Sequence, residues 1–165
     1  KSGFSWFACR FFFDLQKLLN TSADDERKVI ATESIGIAIV PRVLLVEDHR
    51  VDQMVISAML KKLGCYVQVA HNGLEAVEIV TKERFDLVLM DYDMKEQDSI
   101  VAAQKIRDHE RSTHSKYHLP IVAVTSTQTE ADQDVYLSAG MDDHITKPIR
   151  YDDLEGRLQR WLEKA

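Results

Sequence analysis

Three short apolar runs, each breaking off into polar side chains, constrain this chain most. Val43-Leu44-Leu45-Val46 ends in Glu47-Asp48. Leu87-Val88-Leu89-Met90 ends in Asp91-Tyr92-Asp93, and Ile121-Val122-Ala123-Val124 ends in Thr125-Ser126. Runs this short and this uniformly apolar read as strands buried on both faces, which is the habit of parallel sheets. Open α/β sheets place their chemistry outside the carboxyl ends of such strands. Asp91 is thus a carboxylate delivered to the rim of a sheet by a rigid element, and its expected role is that of a nucleophile for a phosphoryl group.

Helical patterns fill the intervals. Val51, Met54, Val55 and Ala58 recur at helical spacing, and Leu63-Gly64 supplies a stop. Tyr66 to Ala70 reads as a second strand. Asn72-Gly73-Leu74-Glu75 reads as a helix start, with an N-cap and an acid three residues on, for a helix to about Arg84 burying Val77 and Val80. Ser99 to His109 is expected to be helical with Ile100, Ala103 and Ile106 inward, followed by a polar loop from His109 to His118. Glu130 to Ala139 reads as a helix closed by Gly140. His144-Ile145 reads as a short fifth strand ending at Thr146-Lys147-Pro148. Leu154, Leu158, Trp161 and Leu162 give the last helix an apolar stripe. Five strand–helix units in strict alternation predict an α/β fold, a five-stranded parallel doubly wound sheet with helices on both faces.

The first part of the chain differs. Phe4, Phe7, Phe11, Phe12, Phe13 and Trp6 crowd the first thirteen residues. They fit a terminal strand of the same domain, or the last strand of a neighbouring domain. Residues 21–41 read as a linker, polar and charged between Thr21 and Lys28. The chain starts at Lys1, as a piece of a longer protein would.

With 27 acidic against 21 basic residues, the formal charge of −6 argues against a nucleic-acid surface. Cys9 and Cys65 are too few for a disulfide framework and lack metal-ligand spacing, which fits a reducing cytoplasmic setting. No apolar run is long enough to cross a bilayer, and no signal peptide is evident. His109, His114 and His118 lie without a nearby cysteine and read as solvated loop residues, not as a metal site.

Glu47, Asp48, Asp91, Thr125 and Lys147 stand at the ends of four of the five strands, the first, third, fourth and fifth, which share one sheet edge. Singly, each reads as a cap or turn residue. Together they describe a site. Converging carboxylates repel unless a cation compensates, and magnesium (Mg2+) suits carboxylates, water and phosphate oxygens. Lys147 supplies a compact positive charge for phosphate and Thr125 a hydroxyl donor.

From Arg42 to about Lys164 the sequence resembles the receiver domain of two-component response regulators. The matching stretches are Val-Leu-Leu-Val-Glu-Asp (43–48), Ala-His-Asn-Gly-Leu-Glu-Ala-Val (70–77), Asp-Leu-Val-Leu-Met-Asp (86–91), Pro-Ile-Val-Ala-Val-Thr (120–125) and Ala-Gly-Met-Asp-Asp-His-Ile-Thr-Lys-Pro (139–148). The resemblance implies a flavodoxin-like strand order 2-1-3-4-5 and a receiver domain over residues 42–165. It implies that Asp91 accepts a phosphoryl group from a phosphohistidine, on a histidine kinase or a histidine phosphotransfer protein. It implies Mg2+ held by Asp48 and Asp91, by Glu47 through water, and by the backbone carbonyl of Asp93. Thr125 and Lys147 would contact the phosphoryl group, Thr125 and His144 would form the switch, and Lys147–Pro148 would be cis.

The sequence departs from the family pattern at Lys95, Ser99, Ser126 and His144. The usual residues there are Pro, Gly, a small residue such as Ala, and Tyr or Phe. These departures keep the reactive set but bear on switching, and a receiver fold that serves only for docking is one alternative. A second is a phosphohydrolase resembling the haloacid dehalogenases, with Asp91 as nucleophile and Asp93 as acid/base. The order of Asp142-Asp143 before Lys147 argues against it. Ser2 to Ala8 resembles the end of a histidine kinase ATP-binding domain, which makes residues 1–20 the expected tail of a truncated kinase domain and the whole a segment of a hybrid sensor kinase.

Overall fold

The computed structural model describes residues 40–94, 98–114, 117–126 and 129–162. The expectations for residues 1–39 and for Lys95 lie outside the described residues. The elements alternate as β1 (Arg42–Val46), α1 (Arg50–Lys62), β2 (Tyr66–Ala70), α2 (Gly73–Lys82), β3 (Leu87–Asp91), α3 (Asp98–Ser112), β4 (Ile121–Thr125), α4 (Glu130–Ser138), β5 (Asp143–Thr146) and α5 (Tyr151–Leu162). The strands form one five-stranded sheet in the order β2-β1-β3-β4-β5, with every pairing parallel. The expected fold and strand order are both observed.

Successive strand side chains point to opposite faces, so each apolar run feeds two cores. Leu44, Val46, Val88, Met90, Ile121 and Ala123 pack on one face, against Ala76 of α2, Ala102, Ala103 and Ile106 of α3 and Tyr136 of α4. Val43, Leu45, Leu87, Leu89, Val122 and Val124 pack on the other, against Ile56 and Leu60 of α1 and Leu154 and Leu158 of α5. Strands buried on both sides have no polar face to alternate with, which is why they appear in sequence as unbroken apolar runs.

One expectation is corrected, the start of the polar loop, and two features of the helices go beyond the sequence reading. The α1 residues Val51, Met54, Val55 and Ala58, which recur at helical spacing, form its exposed face, and the buried face carries Ile56 and Leu60. The polar loop expected from His109 begins later, because α3 continues to Ser112. The third helix also buries Arg107, a charge that an apolar-stripe reading sends outward. The start of α2 forms as expected: the Asn72 side chain accepts from the Glu75 N–H at 2.8 Å, and the Glu75 carboxylate accepts from the His71 N–H at 2.8 Å. That helix ends at Lys82, with Val77 and Val80 partly buried. Gly73 lets α2 approach α3, since a Cβ there would lie 2.5 Å from the Asp98 carbonyl oxygen.

Candidate functional site

The sheet places Asp91 at the last position of β3, one residue beyond Met90, which pairs with Val46 of β1. On the other side Asp91 pairs with Val124, one residue short of Thr125. Register alone therefore gathers Glu47, Asp48, Asp91 and Thr125 at one edge. Lys147 joins them because β5 pairs Thr146 with Thr125, and the Lys147 N–H donates to the Thr125 carbonyl at 2.8 Å. The Lys147–Pro148 peptide is cis, as the resemblance implies.

The side chains converge. Carboxylate oxygens of Glu47, Asp48 and Asp91 all lie within 4.8 Å of one another. Glu47 and Asp91 are buried, and Asp48 is exposed. Lys147 Nζ lies 3.0 Å from Asp91 Oδ2, 3.3 Å from Glu47 Oε2 and 3.7 Å from Asp52 Oδ2. The Asp93 N–H donates to Asp91 Oδ1 at 3.0 Å. Glu47 is further fixed by the His49 N–H at 3.0 Å, while its carbonyl accepts from Gln53 Nε2 at 2.6 Å.

Electrostatics follow from this crowding. Burial pushes the Glu47 carboxyl above its ordinary pKa. The His49 N–H pulls it back, the Asp91 charge adds to the rise, and Lys147 opposes it. Burial works against the Lys147 ammonium too, but the hydrogen bond and charge of Asp91, followed by those of Glu47, outweigh it and raise its pKa. One lysine thus serves an acidic cluster that remains under-neutralised. The donor set is all oxygen and open on the Asp48 side, which fits a hard divalent cation.

The other residues singled out in the sequence are placed as follows. Thr125 is fully buried at the end of β4. His144 lies on β5 with its ring 5.6 Å from that of Tyr136, which in turn meets the ring of Tyr92 edge-on at 5.9 Å. Ser99 is buried, and its hydroxyl donates to the Tyr92 carbonyl at 3.3 Å. Sequence reasoning missed Asp52 and the Ser126–Asp93 contact. The acid of α1 reads as ordinary first-turn chemistry, and the contact joins residues 33 apart.

Residues 43–159 match the response regulator receiver domain. The chain belongs to that family. It is 36% identical over 129 residues to hybrid signal transduction histidine kinase F of Dictyostelium discoideum, covering 78% of this chain but 12% of that protein. Among solved structures it is similar to the receiver domain of the response regulator Ssk1 of Saccharomyces cerevisiae, in complex with the histidine phosphotransfer protein Ypd1. That likeness has 31% identity and a TM-score of 0.68, covering 74% of this chain and 88% of the other. It is also similar to the receiver domain of sensor histidine kinase PA1611 of Pseudomonas aeruginosa, which holds a magnesium ion in its active-site cleft. There the identity is 36% and the TM-score 0.67, covering 75% of this chain and 98% of the other. The receiver fold places the acidic edge where the sequence predicts it. Among the described residues no helix is long and apolar enough to cross a membrane.

Proposed function

We propose that Asp91 accepts a phosphoryl group from the phosphohistidine of a kinase or phosphotransfer protein, with Mg2+, as one step of a phosphorelay. The observation that carries this reading is the buried Asp91 carboxylate, 3.0 Å from Lys147 and within 4.8 Å of both Glu47 and Asp48. An Asp91 oxygen attacks phosphorus and the P–N bond to the imidazole breaks. Its electron pair returns to that ring nitrogen, and with a proton carried on the other ring nitrogen the donor leaves as neutral histidine. Asp48 and Asp91 would ligate Mg2+ directly, Glu47 through water, and the Asp93 carbonyl would complete the protein's share. Bound there, the ion supplies charge neutralisation for the phosphoryl oxygens. Lys147 holds the Asp91 carboxylate in place and then pairs with the phosphoryl group. The Thr125 hydroxyl serves as a further donor, and with His144 it forms the switch that reads the new charge.

The donor needs a surface beside this cleft. Val51, Met54 and Val55 are exposed on α1, within a few residues of Asp48, and we assign them to docking. The likeness to a receiver domain solved with a histidine phosphotransfer protein supports a phosphohistidine donor, as do relatives that are hybrid kinases. The parent protein is on this reading a hybrid sensor kinase, with this domain on its cytoplasmic side.

Incubation with a small acyl phosphate and Mg2+ tests the assignment. Wild-type protein should take up one base-labile phosphoryl group, while chelation of the metal or Asp91→Asn should abolish uptake. Equal labelling of Asp91→Asn would overturn the reading, and a fully unlabelled wild type would favour a docking-only domain.

A further inference from the structure

One carboxylate at the rim is committed across the cleft. The Asp93 backbone N–H is tied to Asp91, but its side chain turns to the neighbouring strand end. Asp93 Oδ2 accepts from the Ser126 N–H at 2.8 Å and from the Ser126 hydroxyl at 2.5 Å. Ser126 is the first residue past β4, and β3 and β4 are adjacent in the sheet. Asp93 therefore links the nucleophile to the segment that leads into α4. A hydroxyl and an amide from one residue make a two-donor seat for an oxyanion, and here a carboxylate fills it. Hydrogen bonds to an ionised acceptor are the stronger kind, so the link should hold even at an exposed rim.

We propose that the Asp93 carboxylate is a resting-state clasp on Ser126, which a phosphoryl group on Asp91 displaces and whose donors it takes over. The inference rests on Asp91 being the acceptor. Phosphorylation adds negative charge and three acceptor oxygens beside Asp93. The added charge repels the Asp93 carboxylate, and the new oxygens offer Ser126 an alternative partner. Both effects act in one direction, so the acceptor's charge biases the Ser126 segment through differential contacts. The family pattern has a small residue at this place, and the hydroxyl of Ser126 is what gives the clasp its second bond.

Amide hydrogen exchange at Ser126 and affinity for beryllofluoride with Mg2+, a stable mimic of the acyl phosphate, test this together. In the free wild type the Ser126 amide should be protected, and Asp93→Ala should speed its exchange. Beryllofluoride should restore protection in the variant. It should also bind Asp93→Ala about two- to tenfold more tightly than wild type, since no hydrogen bond need be opened first. Asp52→Asn removes an equal charge from the same rim and should not change Ser126 exchange. Unchanged exchange in Asp93→Ala, with normal labelling of wild type at Asp91, overturns the clasp alone. An equal gain in affinity from Asp52→Asn also overturns it, because charge by itself would then explain the effect. A wild type that binds neither phosphoryl group nor beryllofluoride overturns the handover and the acceptor assignment together.

Discussion

Glu47 shows how the site sets function against stability at the level of one residue. It is fully buried beside Asp91, and its pKa is raised chiefly by that burial. A carboxyl whose folded pKa lies above its unfolded value binds more protons folded than unfolded. Stability then falls as pH rises from the ordinary value of 4.5 through the folded pKa. In metal-free protein Glu47→Gln should therefore raise the denaturation midpoint near neutral pH, and the gain should vanish as pH falls below 4.5. The same change should weaken Mg2+ binding about 10- to 100-fold, as expected for a group that holds the metal through water. Chelator-treated melts and Mg2+ titrations give the two readings, and a variant less stable than wild type at neutral pH would contradict the account. The strand-end acids were legible from sequence because burial and position are local signals: an apolar run followed at once by a carboxylate. The direction of the Asp93 side chain was not, because its partner Ser126 belongs to another strand end.

At the level of the element, α1 carries two apolar faces with different duties. Ile56 and Leu60 fill the core, while Met54 is 74% and Val51 58% exposed. Periodicity registers an apolar stripe and cannot say whether it meets the sheet, and the stripe named from sequence is the outer one. If the outer stripe docks the phosphohistidine donor, Met54→Lys should slow transfer from that protein about tenfold or more. Labelling by a small acyl phosphate should be unchanged, and stability should stay within about 0.5 kcal/mol because no core contact is lost. A variant that slows both donors equally would place Met54 in the folding of the site and not in docking. On the third helix the apolar face was legible and the buried charge was not. Its apolar positions Ala103 and Ile106 face inward as read, yet Arg107 is buried beside them. Only the tertiary structure supplies the partners that make such burial tolerable.

Across the whole molecule, reactivity and anchorage occupy opposite edges of the sheet. Arg107 donates to the carbonyls of Leu119 and Gly140, both at 2.8–2.9 Å, and pairs with Glu110 and Asp142. Asp142 also accepts from the Ile121 N–H at 2.8 Å and meets His118 Nε2 at 2.6 Å. These groups lie before β4 and β5, at the amino ends of the strands, whereas Asp91, Thr125 and Lys147 lie at the carboxyl ends. Five-residue strands separate the two edges by roughly 16 Å, well beyond hydrogen-bond or ion-pair reach. Arg107→Met would strand the Glu110 and Asp142 carboxylates, which are only 17% and 16% exposed, without their cation. Loss of one partner from a buried pair costs about 3–5 kcal/mol, a large share of the roughly 5–15 kcal/mol that holds a domain folded. The urea midpoint should drop accordingly. Phosphoryl uptake per folded molecule should be unchanged, because Arg107 pairs with Glu110 and Asp142 and not with the residues of the site. A fall in uptake at a urea-free, fully folded baseline would mean that the two edges are coupled through the sheet, and an unchanged midpoint would mean that water replaces the guanidinium.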